Sequence, residues 1–313
     1  MRRRSAIPML GILGVVPFLF GLSGSRTAVK ADQEFTIHNE VRLVLLDVSV
    51  QSHDGNFVPG LLKKNFTILE NGRPQTISVF DNQDAPVTIG ILVDESASMT
   101  PKRTQVLAAA EDLIQESNPA DEVFILNFND SVERGLPEGI LFSDQIPQLR
   151  DALDRGVPRG QTALYDAVAD GLMQLEQGKR GRKTLIVISD GRDNASHHTR
   201  AQTVDLVERS SATVFTVGLF DAEQYDADPG TLRQFAKISG GEASFPMSLA
   251  DVSGVCHRIA KEIRTRYTIG YVPLESRNSS PLRHIQVKVS SPGQSGLTVL
   301  TRSSYLYDEP KAK

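Results

Sequence analysis

The sequence predicts an α/β protein with a doubly wound, mostly parallel, Rossmann-like sheet, flanked by a small antiparallel β module from the N- and C-terminal segments. Three observations predict it. Short apolar runs alternate with helical patterns between residues 85 and 265, which is typical of parallel strands covered by helices on both faces. Strand-like alternation with turn signals precedes this region and resumes after it. The chain has 313 residues, 40% of them hydrophobic, and can bury a large core.

The first residues resemble an export signal. A basic tripeptide at 2–4 precedes an apolar stretch at 6–22, and small residues follow. We therefore expect an exported protein that is periplasmic, at the cell surface or secreted. The apolar stretch is short for a membrane span and contains two prolines, although retention as an anchor stays open. The predicted segments are a signal peptide (1–31), an N-terminal β segment (32–84), an α/β domain (85–265) and a C-terminal β segment (266–313).

The net charge argues against nucleic-acid binding, and the cysteine content argues against an internal disulfide. The net charge is −4, but residues 1–31 hold five bases and no acid, so the remainder has 29 bases against 38 acids, a net charge of −9. A mature chain this acidic is a poor nucleic-acid binder. The single cysteine, Cys256, cannot form an internal disulfide, and its helical surroundings indicate a buried apolar role.

The N-terminal flank predicts strands by period-two alternation between turn signals. We expect the strands of the C-terminal flank to pair with those of the N-terminal flank, so that the α/β domain is an insertion between two halves of one β module. The predicted flanking strands are 41–50, 66–70, 75–80, 267–272, 284–289 and 298–302.

The α/β region predicts buried strands from its short apolar runs and helices from apolar residues at helical spacing. The predicted strands are 87–93, 122–128, 184–189 and 213–219, with a weaker one at 242–245. The predicted helices are 103–116, 144–155, 163–176, 200–210, 231–239 and 250–265.

Oxygen-bearing side chains follow the first of these strands. Asp94, Ser96 and Ser98 stand two residues apart, directly after the apolar run 87–93. As the chain turns off the end of a buried strand, an Asp and two hydroxyls at this spacing can converge on one point. The pattern predicts part of a metal site.

Two later residues complete the predicted site. Thr162 stands at the start of a helix, and Asp190 follows the strand run 183–189. Ligands of parallel sheets gather at the carboxyl ends of the strands, so these side chains are expected to meet Asp94 and its neighbours. Five hard oxygen ligands suit Mg²⁺, which prefers near-octahedral oxygen coordination, and Mn²⁺ fits the same set.

Each of these residues also has an ordinary structural explanation. Asp94, Ser96 and Ser98 are all good N-cap residues for a following helix, and Thr162 is suited to cap the helix beginning at 163. Asp190 with the following glycine is a common turn pair. Their conjunction at one end of adjacent strands favours the metal site.

These residues are similar to the metal-ion-dependent adhesion site of the von Willebrand factor A domain, and the resemblance covers about residues 85–265. The flanks resemble those of bacterial VWFA-related proteins, in which an export signal and a β segment precede the domain and a Tyr-rich β segment, here 267–271, follows it. Ala97 and Gln161 stand where the family often has glycine, which costs backbone freedom but no ligand.

The resemblance implies reversible, metal-dependent protein binding, and we expect the protein not to be an enzyme. In the family, hydroxyls such as those of Ser96, Ser98 and Thr162 supply much of the coordination, and carboxylates act partly through water. The cation then keeps enough charge to attract an Asp or Glu carboxylate of a protein partner. In some members of the family, occupancy of the metal site is coupled to displacement of the last helix, here 250–265.

Two alternatives remain. In the first, the protein is a structural scaffold whose metal holds three loops together, while another surface binds the partner. A metal-assisted hydrolase would need a general base, for which Glu95 and Asp193 are the local candidates. Dinucleotide, phosphate-loop and serine-hydrolase motifs are missing from the sequence. His197 and His198 indicate a solvated loop, since no third imidazole or thiol ligand is placed near them.

Overall fold

The computed structural model describes residues 43–220, 228–274 and 281–307. The predicted signal peptide and the first residues of the N-terminal β segment lie outside these ranges. Within them, no helix combines the length and the apolar character that crossing a bilayer requires.

The described residues form antiparallel flanking strands and a central α/β region. The strands are β1 (Val44–Gln51), β2 (Phe66–Glu70), β3 (Arg73–Gln75), β4 (Ile77–Asp81), β5 (Val87–Asp94), β6 (Glu122–Phe128), β7 (Val132–Arg134), β8 (Arg182–Ser189), β9 (Thr213–Gly218), β10 (Ala243–Ser244), β11 (Tyr267–Tyr271), β12 (Leu282–Val289), β13 (Thr298–Leu300) and β14 (Ser304–Leu306). The α-helices are α1 (Arg103–Gln115), α2 (Ile146–Asp154), α3 (Leu164–Leu175), α4 (Arg200–Arg209), α5 (Pro229–Ser239) and α6 (Val252–Thr265).

The central sheet has the strand order β10-β9-β8-β5-β6-β7, and every pairing is parallel except that of β7 with β6. All eight residues of β5 are buried, which explains its unbroken apolar run, because parallel strands are covered on both faces. Gly90 lies at the middle of β5, where a Cβ atom would stand 2.3 Å from the Phe124 ring. The predicted doubly wound α/β fold is confirmed.

The sheet differs from prediction at its two edges. The weak strand expected at 242–245 is only two residues long, β10. The opposite edge carries β7, which the sequence analysis did not predict. A three-residue edge strand has no periodic pattern from which to predict it, and its pairing depends on a turn back onto β6. A short 3-10 turn, Ala97–Lys102, also precedes α1 and contains Pro101.

The flanking strands form two four-stranded sheets of orders β13-β1-β11-β4 and β14-β12-β2-β3. Each sheet contains strands from both ends of the chain, since β1 pairs with β11 and β2 pairs with β12, both antiparallel. Leu46 and Val48 of β1 are fully buried in the core shared by these sheets. In that core the rings of Phe66 and Tyr267 lie 5.0 Å apart. The predicted β module from both chain ends is confirmed.

Candidate metal centre

Asp94 is the last residue of β5, and its carboxylate is almost fully buried at the carboxyl edge of the central sheet. Asp94 Oδ1 accepts a hydrogen bond from the Ser96 N–H at 2.8 Å. Asp94 Oδ2 accepts one from the Ser189 hydroxyl at 2.6 Å. The first bond turns the chain sharply off the strand, as an Asp side chain does when it pairs with the backbone two residues on.

Asp190 follows β8, the neighbour of β5, and is completely buried. The Ser98 hydroxyl donates to Asp190 Oδ2 at 2.7 Å, and Ser96 Oγ lies 3.1 Å from Ser98 Oγ. Asp94, Ser96, Ser98 and Asp190 are therefore joined in one hydrogen-bonded cluster that spans the ends of two strands.

Thr162 lies on the adjoining loop, two residues before α3, and is 2% exposed. The Ala97 N–H donates to the Gly160 carbonyl at 3.2 Å, which joins this loop to the serine-containing turn. The Thr162 N–H donates to Asn194 Oδ1 at 2.8 Å, which joins the same loop to the segment after Asp190. The loop of Thr162 is thus joined to the segment that follows β5 and to the segment that follows β8.

The capping explanations do not account for these side chains. The N-cap residue of α1 is Lys102, and Ser96, at the N-cap of the 3-10 turn, makes no side-chain capping hydrogen bond. The N-cap of α3 is Ala163, which has no side chain for the purpose. Asp94 Oδ1 and Asp190 Oδ1 each accept the backbone N–H two residues on, those of Ser96 and Arg192, so both residues also form local turns. Their Oδ2 atoms accept from the hydroxyls of Ser189 and Ser98.

Burial dominates the electrostatics of the cluster. Burial raises the pKa of Asp94 to about 6, and the negative charge of Asp190 adds to the rise, while hydrogen bonds from Ser189 and Ser96 oppose it. Two adjacent buried carboxylates are an arrangement that a divalent cation would neutralise.

The chemistry of the oxygen set fits a hard cation. Two carboxylates and three hydroxyls are oxygen ligands of the kind that Mg²⁺ and Mn²⁺ take. In the described part of the chain, no group of three or more His, Cys, Asp or Glu side chains is placed to hold a metal ion. A metal at this edge of the sheet therefore depends on the hydroxyls.

The two candidate bases are engaged in other contacts. The Glu95 side chain is 1% exposed, and its Oε2 lies 3.1 Å from Arg103 Nε. Burial raises the pKa of Glu95, and the charge of Arg103 opposes the rise. Asp193 Oδ2 accepts hydrogen bonds from the Tyr165 N–H at 2.8 Å and from the Ser196 hydroxyl at 2.5 Å.

The two histidines both contact one carboxylate. The Nδ1 atoms of His197 and His198 lie 3.1 and 2.6 Å from the Asp166 oxygens. The His197 side chain is 96% exposed and that of His198 is 41% exposed. The pair therefore lies on a surface loop.

Sequence reasoning missed two residues that organise the cluster. Ser189 donates to Asp94 from the end of β8, and Asn194 pairs with the main chain of Thr162. Ser189 is the last residue of an otherwise apolar strand, and Asn194 is one of several polar residues in the loop that follows. Neither residue therefore stands out in the sequence.

Comparison with known proteins agrees with this architecture. The sequence matches the family model of the von Willebrand factor type A domain over residues 88–262. It has no significant match among curated proteins.

Two solved structures illustrate the likeness. A von Willebrand factor type A protein from Catenulispora acidiphila superposes with a TM-score of 0.51 at 13% identity, over 85% of this chain and 74% of that chain. Proximal thread matrix protein 1 from the mussel byssus superposes with a TM-score of 0.51 at 14% identity, over 62% of this chain and 51% of that chain. The alignment thus spans about half the length of the mussel protein. At these identities the likeness shows the fold alone.

Proposed function

Because the chain belongs to the von Willebrand factor type A domain family, we propose that it is an exported, metal-dependent protein-binding module of the adhesion type. Asp94, Ser96, Ser98, Thr162 and Asp190 would hold Mg²⁺, with Mn²⁺ as the alternative. When bound, the cation supplies a positively charged centre to which an Asp or Glu carboxylate of a protein partner can coordinate.

The observation that carries this proposal is the hydrogen-bonded cluster between the ends of β5 and β8. Ser98 Oγ lies 2.7 Å from Asp190 Oδ2 although the two residues are 92 positions apart in the chain. The fold therefore brings oxygen-bearing side chains from separate segments into contact, which supports a shared metal site. The negative charge of Asp190 raises the pKa of Asp94. The Arg192 Nε atom lies 3.8 Å from Asp190 Oδ2, and a bound cation would add to its positive charge.

The surroundings of the cluster support binding over catalysis. A metal-assisted hydrolase needs a base that can take a proton from water beside the ion. Glu95 is paired with Arg103, and Asp193 Oδ2 already accepts two hydrogen bonds. Both local candidates thus have structural roles.

The metal site is tested by isosteric substitution. Asp94→Asn and Asp190→Asn should each abolish Mg²⁺ binding in calorimetric titration, because each removes one charged oxygen while keeping the shape of the side chain. Circular dichroism should show an intact fold. Mg²⁺ affinity that is unchanged in both variants would refute the site.

Asp121→Asn provides the matched control. Asp121 is another buried aspartate, 3% exposed, whose oxygens accept from the Val87 and Asn118 N–H groups at the opposite edge of the sheet. This substitution should lower stability and leave Mg²⁺ affinity within about twofold of wild type.

The binding role is tested by affinity capture from the extracytoplasmic fraction, with Mg²⁺ or with a chelator. Proteins retained only with Mg²⁺ should be lost again when Asp190→Asn is the bait. Substitution of the partner's acidic residue should also abolish capture. A partner retained equally in chelator, together with a chelator-induced fall in melting temperature, would support a metal-stabilised scaffold instead.

Export and the domain division also remain proposals. The basic tripeptide and apolar stretch of residues 1–31 support a signal peptide. We propose a β segment at 32–84, the metal-binding domain at 85–265 and a second β segment at 266–313. The mature protein's N-terminal sequence should begin near residue 32, and a chain recovered with residues 1–31 intact would favour a retained anchor.

A further inference from the structure

The loop that leaves Asp190, residues 191–198, packs against the start of α3, and we call it the clasp loop. Gly191 begins it with φ of 78°, and a Cβ atom there would lie 2.8 Å from the Asp228 carbonyl oxygen. A side chain at this position would therefore be strained and crowded. The close turn directs the rest of the loop towards Thr162.

Side chains of the clasp loop supply the caps that α3 lacks. The first N–H groups of a helix have no partner within the helix. In α3 the Tyr165 N–H donates to Asp193 Oδ2 at 2.8 Å, and the Asp166 N–H donates to Ser196 Oγ at 3.0 Å. The loop is therefore tied to the helix through the hydrogen bonds that define the start of the helix.

Asn194 holds both main-chain groups of Thr162. Asn194 Oδ1 accepts from the Thr162 N–H at 2.8 Å, and the Asn194 N–H donates to the Thr162 carbonyl at 3.0 Å. The Ala195 N–H donates to the same carbonyl at 3.1 Å. Because both peptide groups of Thr162 are fixed, the direction of its Cα–Cβ bond is fixed as well.

The residues before and after Thr162 are held by hydrogen bonds to the segment that follows β6. The Gln161 N–H donates to Asp130 Oδ1 at 2.8 Å, and the Ala163 N–H donates to the Asn129 carbonyl at 2.7 Å. These residues follow β6, on the far side from β8. Asn194 is thus the side chain that ties Thr162 to the segment leaving Asp190.

We propose that Asn194 is a positioning residue that sets Thr162 relative to Asp190, so that ligands from two loops form one metal centre. This rests on the proposed metal site. Partners that orient ligands through hydrogen bonds contribute 10- to 100-fold to metal affinity in known sites. Asn194 itself is exposed, and an exposed residue with no such role would change little on substitution.

The first test titrates the full chain with Mg²⁺ alone. Asn194→Ala should weaken Mg²⁺ binding by about tenfold. Asn118→Ala is the matched control, because Asn118 Oδ1 also accepts a backbone N–H, that of Ala120 at 2.9 Å, at the opposite end of the sheet. The control should stay within twofold of wild type. An equal affinity in Asn194→Ala and wild type would overturn the proposal and leave the metal site standing.

The second test needs no metal. In chelator, hydrogen exchange at the Thr162 amide should quicken at least tenfold in Asn194→Ala and stay unchanged in Asn118→Ala. Asn194→Asp should restore protection, because a carboxylate oxygen still accepts from the Thr162 N–H. Unchanged exchange in Asn194→Ala would overturn the positioning role. Wild-type protein that binds neither Mg²⁺ nor Mn²⁺ would overturn the proposed function and, with it, this one.

Discussion

Glu70 is one buried carboxylate that joins the two sheets of the β module. Tyr271 of β11 and Tyr305 of β14 both donate to Glu70 Oε2 at 2.8 Å, and Arg283 Nη1 lies 3.6 Å from Oε1. Burial, together with the hydrogen bond to Glu70, raises the pKa of both tyrosines above its usual range, so they remain donors at neutral pH. Removing Glu70 would leave the hydroxyls of Tyr271 and Tyr305 without their acceptor and the buried Arg283 guanidinium without its ion-pair partner.

This network gives an ordered set of stability losses. Tyr271→Phe should cost about 1.5 to 3 kcal/mol of unfolding free energy, as expected for a hydrogen bond to a charged group. Glu70→Ala should cost about 3 to 5 kcal/mol, because it leaves the buried positive charge of Arg283 without its ion-pair partner. Urea denaturation measures both.

The double variant Tyr271→Phe/Tyr305→Phe supplies the internal check. It should lose more than the sum of the single variants, because Glu70 then has neither hydroxyl donor. Glu70→Ala no more destabilising than Tyr271→Phe would contradict the network.

At the scale of elements, α3 depends on the clasp loop for its start, and Asp166 fastens the far end of that loop. The Asp166 oxygens accept the N–H groups of His197 and His198, both at 2.9 Å, as well as contacts from the two rings. Partial burial raises the pKa of Asp166, but these hydrogen bonds outweigh it and hold the pKa well below its ordinary value.

The depressed pKa of Asp166 predicts an acid-dependent loss of stability. Its contribution is present above the unfolded-state value of about 4 and is lost as pH falls through the folded-state value. Asp166→Asn should therefore lower the melting temperature at pH 7 and show a shallower fall between pH 4 and 2.

Asp205→Asn is the comparison for this measurement. Asp205 is half exposed and paired with Arg209 across one helical turn, so its removal should change stability by less than about 0.5 kcal/mol. If the melting temperatures of wild type and Asp166→Asn fall equally steeply between pH 4 and 2, Asp166 does not fasten the loop.

For the whole molecule, the strands with continuous apolar runs could be predicted from sequence because their burial on both faces leaves a local pattern. β5 and β8 were located within two residues at each end for this reason. β7 could not be predicted, because a strand of three residues at a sheet edge is too short to show a periodic apolar pattern. The serine-containing turn was visible as a local motif, whereas Ser189 contacts Asp94 across 95 positions and Asn194 contacts Thr162 across 32. Contacts of that range need the fold.

Several contacts tie the β module to the α/β region. Only Arg266 separates α6 from β11, and its Nη2 donates to the Gly240 carbonyl at 2.8 Å. Arg302, beside β14, donates to the Glu208 carbonyl of α4 at 2.7 Å. The first of these links is buried and the second is partly buried, so opening either part alone would break hydrogen bonds shielded from solvent.

The two parts are therefore expected to unfold as one cooperative unit. Native-state hydrogen exchange under increasing denaturant should give the same unfolding free energy for the Val48 amide in β1 and the Ile91 amide in β5. Mg²⁺ at about 100 times its dissociation constant should raise both by about 2.7 kcal/mol, since binding to the native state stabilises the whole cooperative unit. In Asp190→Asn neither amide should respond to Mg²⁺. A Val48 amide that exchanges at lower free energy and ignores Mg²⁺ would show that the β module opens on its own.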